Sequence, residues 1–211
     1  LSYGPRYIGA PGHSSVRRYI ESELTSSVNE VVIQDWKHQA SSGQQFALKN
    51  IIGRTQPENN RRIILGTHYD SRSETKDDTT LAVPGANDSA SGVAVLLELA
   101  RTIKESKIEL AVGIDFVFFD GEEGELPIDG DYFDWFPIGS TFFTSNLESL
   151  YGIHKPEQGI VLDMVCDKDL TILKEAGSVA RAEKQLNAYW KVAQSLYGNV
   201  FQPTGRNEIR D

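Results

Sequence analysis

Cysteine is nearly absent from this chain: Cys166 is the only one in 211 residues. A lone thiol excludes an internal disulfide framework and any cysteine-rich metal site, so a metal here has to be held by histidine and carboxylates. Basic charge is also scarce. The formal net charge is -9, and the sequence lacks the clustered basic face that a nucleic-acid partner requires. Long apolar runs are missing too. The strongest, 114–119 and 160–165, are far shorter than the roughly 20 residues of a membrane helix, so no transmembrane segment is expected. No Gly-x-Ser-x-Gly elbow points to a serine hydrolase. The chain opens on Leu1, with neither methionine nor a charged-then-apolar leader, as expected of a trimmed or processed form.

The length and apolar share suffice for one sizeable core, and a single catalytic α/β domain over residues 1–211 is expected. Val16, Tyr19, Ile20 and Leu24 fall at helical spacing within 12–27, with Ser14 available as a cap. Residues 31–39 and 46–52 flank the turn-forming Ala40-Ser41-Ser42-Gly43, the pattern of an antiparallel hairpin. A short buried strand is expected at 61–67, then a polar loop over 70–87, long for a connection without a task. Val93, Leu96, Leu97, Ala100 and Ile103 share one face of a helix over 89–104. Buried strands follow at 114–119 and 160–165, with helices at 139–150 and 179–197. After residue 60 the order is strand, helix, strand, helix, strand, helix, which implies a three-layer α/β/α sandwich around a mixed, mainly parallel sheet.

In open α/β sheets ligands bind at the carboxyl ends of the strands. Here those ends are polar: His68-Tyr69-Asp70, Asn87-Asp88-Ser89, Asp120-Gly121-Glu122-Glu123 and, within the third run, Asp163. Several ionised carboxylates in a small volume raise one another's pKa unless a cation compensates them. A divalent metal is the simplest such cation. Imidazole and carboxylate without thiolate suit zinc in an open, catalytic site, and manganese or cobalt take the same donors. Singly, each piece has a plainer explanation: Asp88 before a helix is commonly a cap, and Glu122-Glu123 is commonly a solvated loop. The weight lies in their coincidence at equivalent strand ends.

The four segments Thr67-His68-Tyr69-Asp70-Ser71, Pro84-Gly85-Ala86-Asn87-Asp88-Ser89-Ala90-Ser91-Gly92, Phe119-Asp120-Gly121-Glu122-Glu123-Gly124 and Leu162-Asp163-Met164 resemble, in order, the motifs of the zinc aminopeptidases of peptidase family 28 and the related glutaminyl cyclases. Residues 6–12 resemble the opening segment of that family. The resemblance implies that Asp88 is the central metal ligand, bridging where two zinc ions are present, that Glu123 binds the same ion, and that Glu122 is the general base and acid. It implies that His68 and Asp163 complete a second ion's shell in the aminopeptidases, and serve as hydrogen-bonding or catalytic residues in the single-zinc cyclases. The family's last histidine ligand has no counterpart up to Asp211. His13, His38 and His154 match no motif, so the C-terminal part of the domain is expected to lie beyond this chain.

Both reactions act on the N-terminus of a peptide or protein. In an aminopeptidase Glu122 takes a proton from the attacking water; in a glutaminyl cyclase it takes one from the α-amine of an N-terminal glutamine, which closes a pyroglutamate ring and releases ammonia. Water competes with cyclisation. The segment 124–138 carries Tyr132, Phe133, Trp135 and Phe136, longer and more aromatic than the join that aminopeptidases resemble, and suited to a lid that excludes water. Trp135 is the candidate substrate contact, and the cyclase is the favoured reading. An aminopeptidase, or a metal-free binding module on the same fold, are the alternatives. Calcium at the acids of 122–134 fits no EF-hand spacing, and adjacent Glu122 and Glu123 do not flank a bond as glycoside hydrolysis requires. Relatives of this kind are exported, which suggests a periplasmic, extracellular or membrane-anchored protein. Oligomeric state is not readable from these residues.

Overall fold

The computed structural model describes residues 1–40, 43–73, 82–124 and 136–207, with side chains as far as 202. It divides into two compact units, Leu1–Met164 and Val165–Asp211.

The first unit is built on a five-stranded sheet. Helix α1 (Pro11–Ser27) begins with proline in its first turn, where a missing N–H costs nothing, and buries Val16, Ile20 and Leu24 on one stripe. Its N-cap is Ala10 with no side-chain cap. Ser14, the expected cap, lies inside the helix and donates back to the Pro11 carbonyl. Strands β1 (Glu30–Gln39) and β2 (Gln45–Arg54) form the expected antiparallel hairpin, in register from Glu30↔Arg54 to Gln39↔Gln45. Strand β3 (Arg62–His68), helix α2 (Ala90–Ser106) and strand β4 (Gly113–Phe119) come next in the chain. The order across the sheet is β1-β2-β4-β3, with strand β5 (Gln158–Val161) at the outer edge. The pairs β1/β2 and β2/β4 are antiparallel, and β4/β3 and β3/β5 are parallel. The sheet is therefore mixed.

Strand β4 is buried at all seven positions, as a strand covered on both faces must be. Its alternate side chains divide between two cores. Ile114, Phe116 and Phe118 pack with Val16, Ile20 and Leu24 of α1 and Val93, Leu96 and Ala100 of α2. Val117 and Phe119 point the other way, onto Phe143 and Tyr151. These last two belong to short helices α3 (Ile138–Ser145) and α4 (Leu147–Tyr151), where the sequence suggested one helix over 139–150. The break falls at Asn146, whose backbone leaves helical geometry while its side-chain amide donates to the Phe142 carbonyl. Helices thus cover both faces of the sheet, giving the three-layer α/β/α sandwich. Gly92 sets how tightly α2 lies on the sheet, because a Cβ there would collide with Thr67 of β3.

The strand expected over 160–165 is much shorter. Pairing with β3 stops at Val161, and the backbone turns at Met164 with φ 47°. As an edge strand β5 alternates between half-buried and exposed positions, with Val161 68% exposed. Asp163 is consequently not a carboxylate within a buried strand; it sits just past the strand's end, like the other candidate residues.

At the opposite end of β4 the fully buried Asp115 anchors the sheet. Arg62 donates to its Oδ1, the Tyr151 hydroxyl donates to Oδ2 at 2.6 Å, and Arg54 Nε lies 3.7 Å away. Burial, with the charge of Asp115, pushes the Tyr151 hydroxyl up from its ordinary pKa, so Tyr151 stays a donor.

In the second unit strand β6 (Ile172–Glu175) runs into helix α5 (Ala176–Tyr197), which is interrupted at Ala182, and strand β7 (Phe201–Asn207) pairs parallel to β6. The Glu175 carboxylate caps α5 by accepting from the Gly177 and Ser178 N–H groups. Trp190 is the helix's buried anchor, with its indole N–H on the Gln202 carbonyl at 2.7 Å. Among the described residues no helix is long and apolar enough to cross a membrane.

Removing the Asp115 carboxylate leaves Arg62 buried without its partner, a loss that typically costs 3–5 kcal/mol. Urea denaturation of Asp115→Ala is expected to show destabilisation by about that much. A change below about 1 kcal/mol, within the range of a surface substitution, contradicts this anchoring role.

Candidate metal and acid-base site

Because β3 and β4 are parallel neighbours with His68 opposite Phe119, they end side by side. The pairing continues one step further, as the Tyr69 N–H donates to the Phe119 carbonyl. The residues just past each strand are thereby brought together: His68-Tyr69-Asp70 from one, Asp120-Gly121-Glu122-Glu123 from the other. Asp70 joins them. Its carboxylate is only 1% exposed, accepts the Glu122 N–H on Oδ1 at 3.1 Å and the Glu123 N–H on Oδ2 at 3.0 Å, and lies 3.2 Å from His68 Nδ1. Burial raises the Asp70 pKa, but His68 and the two backbone donors outweigh it and hold the carboxyl below its ordinary value. Asp70 is therefore a fixed anion.

Asp88 arrives on the segment before α2. Arg6 holds that segment down: its guanidinium donates to the carbonyls of Pro84, Gly85 and Tyr69 at 2.7–3.0 Å, and its backbone N–H donates to Ser71 Oγ. Gly85 sits at φ 62°, where a Cβ would strike the Arg6 guanidinium and the Asp88 carbonyl, so glycine is required. Ser89, the N-cap of α2, uses its hydroxyl on the Asp70 carbonyl at 2.9 Å instead of on its own helix. The cap position binds the helix start to the β3 exit.

Three of the predicted site residues converge at ligand spacing. His68 Nε2 lies 2.9 Å from Asp88 Oδ1 and 3.6 Å from Asp163 Oδ1, and one donor atom from each of the three falls within 4.8 Å of the others. His68 Nε2 and Asp88 Oδ1 are buried, and neither makes a hydrogen bond of acceptable geometry. Two buried polar atoms facing each other in this way, in a nitrogen and oxygen donor set, fit a metal ion. Glu122 reaches the same place from the β4 side, with Oε2 3.8 Å from His68 Nδ1. Glu123 is buried nearby, but its carboxylate does not belong to the trio: its Oε2 accepts from Arg72 Nε at 2.5 Å.

The electrostatics stem from this crowding. Burial works against a charged His68, yet Asp163, Asp70 and Asp88 hold its pKa well above the ordinary value. Glu122 is pushed up to about 8, first by burial and then by Asp70, Glu123 and Asp163, against the opposing pull of His68. Glu123 is pushed up to about 7 by burial and by Asp88, with Arg72 opposing. His68 is the shared positive neighbour of Asp70, Asp88, Glu122 and Asp163, Arg72 pairs with Glu123, and a divalent ion would relieve the crowded acids together.

Asp120 does not join the site. Its carboxylate lies 2.6 Å from His13 Nε2 and accepts the Lys49 N–H at 2.8 Å, while Tyr69 stacks on His13. It braces the turn from behind. Trp135 lies outside the described residues, as does most of the aromatic segment around it; Phe136 is 52% exposed. Sequence reasoning placed Asp70 in the strand-end cluster without its tie to the Glu122 and Glu123 backbone, and assigned no role to Arg6 or Arg72. Spacing signals neither arginine, because each acts through contacts between distant segments.

The fold and this site define an α/β sandwich with acids and a histidine gathered at the ends of adjoining parallel strands. The model of peptidase family M28 matches residues 50–210, and the chain belongs to that family. It is 31% identical to a Drosophila melanogaster glutaminyl-peptide cyclotransferase over 146 residues, which is 68% of this chain and 38% of that protein. The chain thus spans about two fifths of that relative's length. Among solved structures it is similar to Tannerella forsythia glutaminyl cyclase, at 34% identity and TM-score 0.88 over 100% of this chain and 74% of that one. It is likewise similar to a Zn-dependent exopeptidase from Parabacteroides distasonis, at 33% identity and TM-score 0.85 over 100% and 73%.

A ligand that binds only the folded state at a hundred times its Kd stabilises by about 2.7 kcal/mol. Thermal melts of the metal-stripped protein are therefore expected to shift upward on adding zinc, and Asp88→Asn to lose most of that shift. An Asp88→Asn protein that gains as much from zinc as the parent removes Asp88 from the site.

Proposed function

We propose that this chain carries the metal and acid-base site of a zinc enzyme that acts on peptide N-termini, as a glutaminyl-peptide cyclotransferase. The reading rests on one observation above all: His68, Asp88 and Asp163 gather their donor atoms within 4.8 Å, with the Glu122 carboxylate alongside. Membership of peptidase family M28 and likeness to bacterial glutaminyl cyclases support it. In this reading Asp88, His68 and Glu123 are metal ligands, Glu122 and Asp163 are catalytic, and Trp135 contacts substrate.

The zinc, when bound, acts as a Lewis acid on the side-chain amide carbonyl of an N-terminal glutamine. The protein does the rest. Glu122 takes a proton from the substrate's α-amine as its nitrogen bonds to the amide carbon; the carbon–nitrogen bond of the amide breaks, and Glu122 returns the proton to the departing ammonia. A carboxyl group whose pKa is raised toward the working pH serves both directions of that transfer, and burial with the neighbouring acids raises Glu122 from its ordinary value. Asp70 fixes the Glu122 backbone through its N–H, which keeps the carboxylate in place through the cycle. In this reading Asp163 orients the substrate's reacting groups beside Glu122.

The trio itself favours a second reading. In the aminopeptidases that the motifs resemble, His68 and Asp163 complete the shell of a second ion, and these two side chains already stand 3.6 Å apart. The same parts would then hydrolyse the first peptide bond, with Glu122 taking the proton from water.

Incubating the full-length protein with a glutamine-led peptide and with leucine-p-nitroanilide separates the two. Ring closure with ammonia release is expected, and release of nitroaniline without ring closure would overturn the cyclase in favour of the peptidase. Glu122→Gln is expected to retain its metal while turnover falls by roughly 10²-fold or more. Unchanged turnover in that variant would remove Glu122 from the chemistry.

A further inference from the structure

Glu123 is held twice by the segment that leaves β3. Its backbone N–H donates to Asp70 Oδ2 at 3.0 Å, and two residues after Asp70 the Arg72 Nε donates to Glu123 Oε2 at 2.5 Å. The two partners differ in environment: the Glu123 side chain is 5% exposed, the Arg72 side chain 41%. A buried carboxylate is thus reached by a guanidinium that keeps much of its surface in water, so the arginine incurs little of the desolvation that the carboxylate does. The contact is a charge-assisted hydrogen bond from a planar, rigid donor. It engages one carboxylate oxygen, Oε2, and fixes where the other, Oε1, points.

We propose that Arg72 is a positioning residue for the metal site, locking the Glu123 carboxylate so that it presents one oriented oxygen to an ion shared with Asp88. This rests on the proposed function, in which Glu123 and Asp88 are ligands. The chemistry is that of outer partners generally: a ligating carboxylate left without its hydrogen bond samples several rotamers, and the ion then has to order it on binding. Arg72 confers this order in advance. Its partial exposure means that its loss leaves no large void, so the effect should fall on metal affinity more than on the fold.

The test is a zinc titration of the full-length protein, stripped of metal and competed against a chelator of known affinity. Arg72→Gln is expected to bind zinc about 10–100-fold more weakly, the usual effect of removing an outer partner, with little change in the melting temperature of the metal-free form. Glu123→Gln, in parallel, is expected to weaken binding as well. Zinc affinity in Arg72→Gln that is unchanged within about twofold, or tighter, while Glu123→Gln is weakened, overturns the proposal and leaves the proposed function standing. If Glu123→Gln binds zinc as the parent does, Glu123 is not a ligand, and that assignment fails together with the role of Arg72. Should Arg72→Gln not give folded protein, Arg72→Met, which keeps the length of the stem, carries the same comparison.

Discussion

Everything at this site depends on the buried carboxylate of Asp70. It accepts the backbone N–H groups of Glu122 and Glu123 and touches the imidazole of His68, so one side chain couples the exit of β3 to the turn after β4. Its backbone carbonyl takes the Ser89 hydroxyl, which brings in the start of α2 and with it Asp88. Removing an anion from water is expensive unless it is well paired, and here the pairing is with the segments that carry the candidate chemistry. Energy given up in burying Asp70 is returned as order at three places in the chain.

A second constraint is that the site's own acids are not balanced. Asp70, Asp88, Glu122 and Asp163 stand around His68, and the raised Glu122 and the raised histidine are two sides of the same crowding. In a fold selected for stability alone such a cluster is a liability. It becomes useful when a cation is brought to it.

The fold was largely legible because its signals are local. The stripe of Val16, Ile20 and Leu24, the hairpin around residues 40–43 and the unbroken apolar run of β4 each declare their element within a few residues. The expected strand over 160–165 is shorter than its apolar run because hydropathy does not reveal that, among the described residues, the strand lies at a sheet edge and pairs with β3 alone. The single helix after residue 138 was misread because Asn146 interrupts it through a side-chain to backbone bond that hydropathy does not register.

The candidate site was legible in its membership more than in its wiring. His68, Asp88, Glu122 and Asp163 could be picked out because strand ends in an α/β sheet are where polar residues gather with a purpose. Asp120 looked equivalent to them by that rule, yet its side chain turns to His13 on α1, a partner 107 residues away. Arg6 and Arg72 were invisible for the same reason: the role of each is set by the segment it meets. The most direct test of the central claim is diffraction from crystals of the full-length protein at wavelengths on either side of the zinc absorption edge. An anomalous peak within about 2.0–2.2 Å of an Asp88 carboxylate oxygen is the predicted result; zinc bound to the protein with no peak in contact with Asp88 would contradict it.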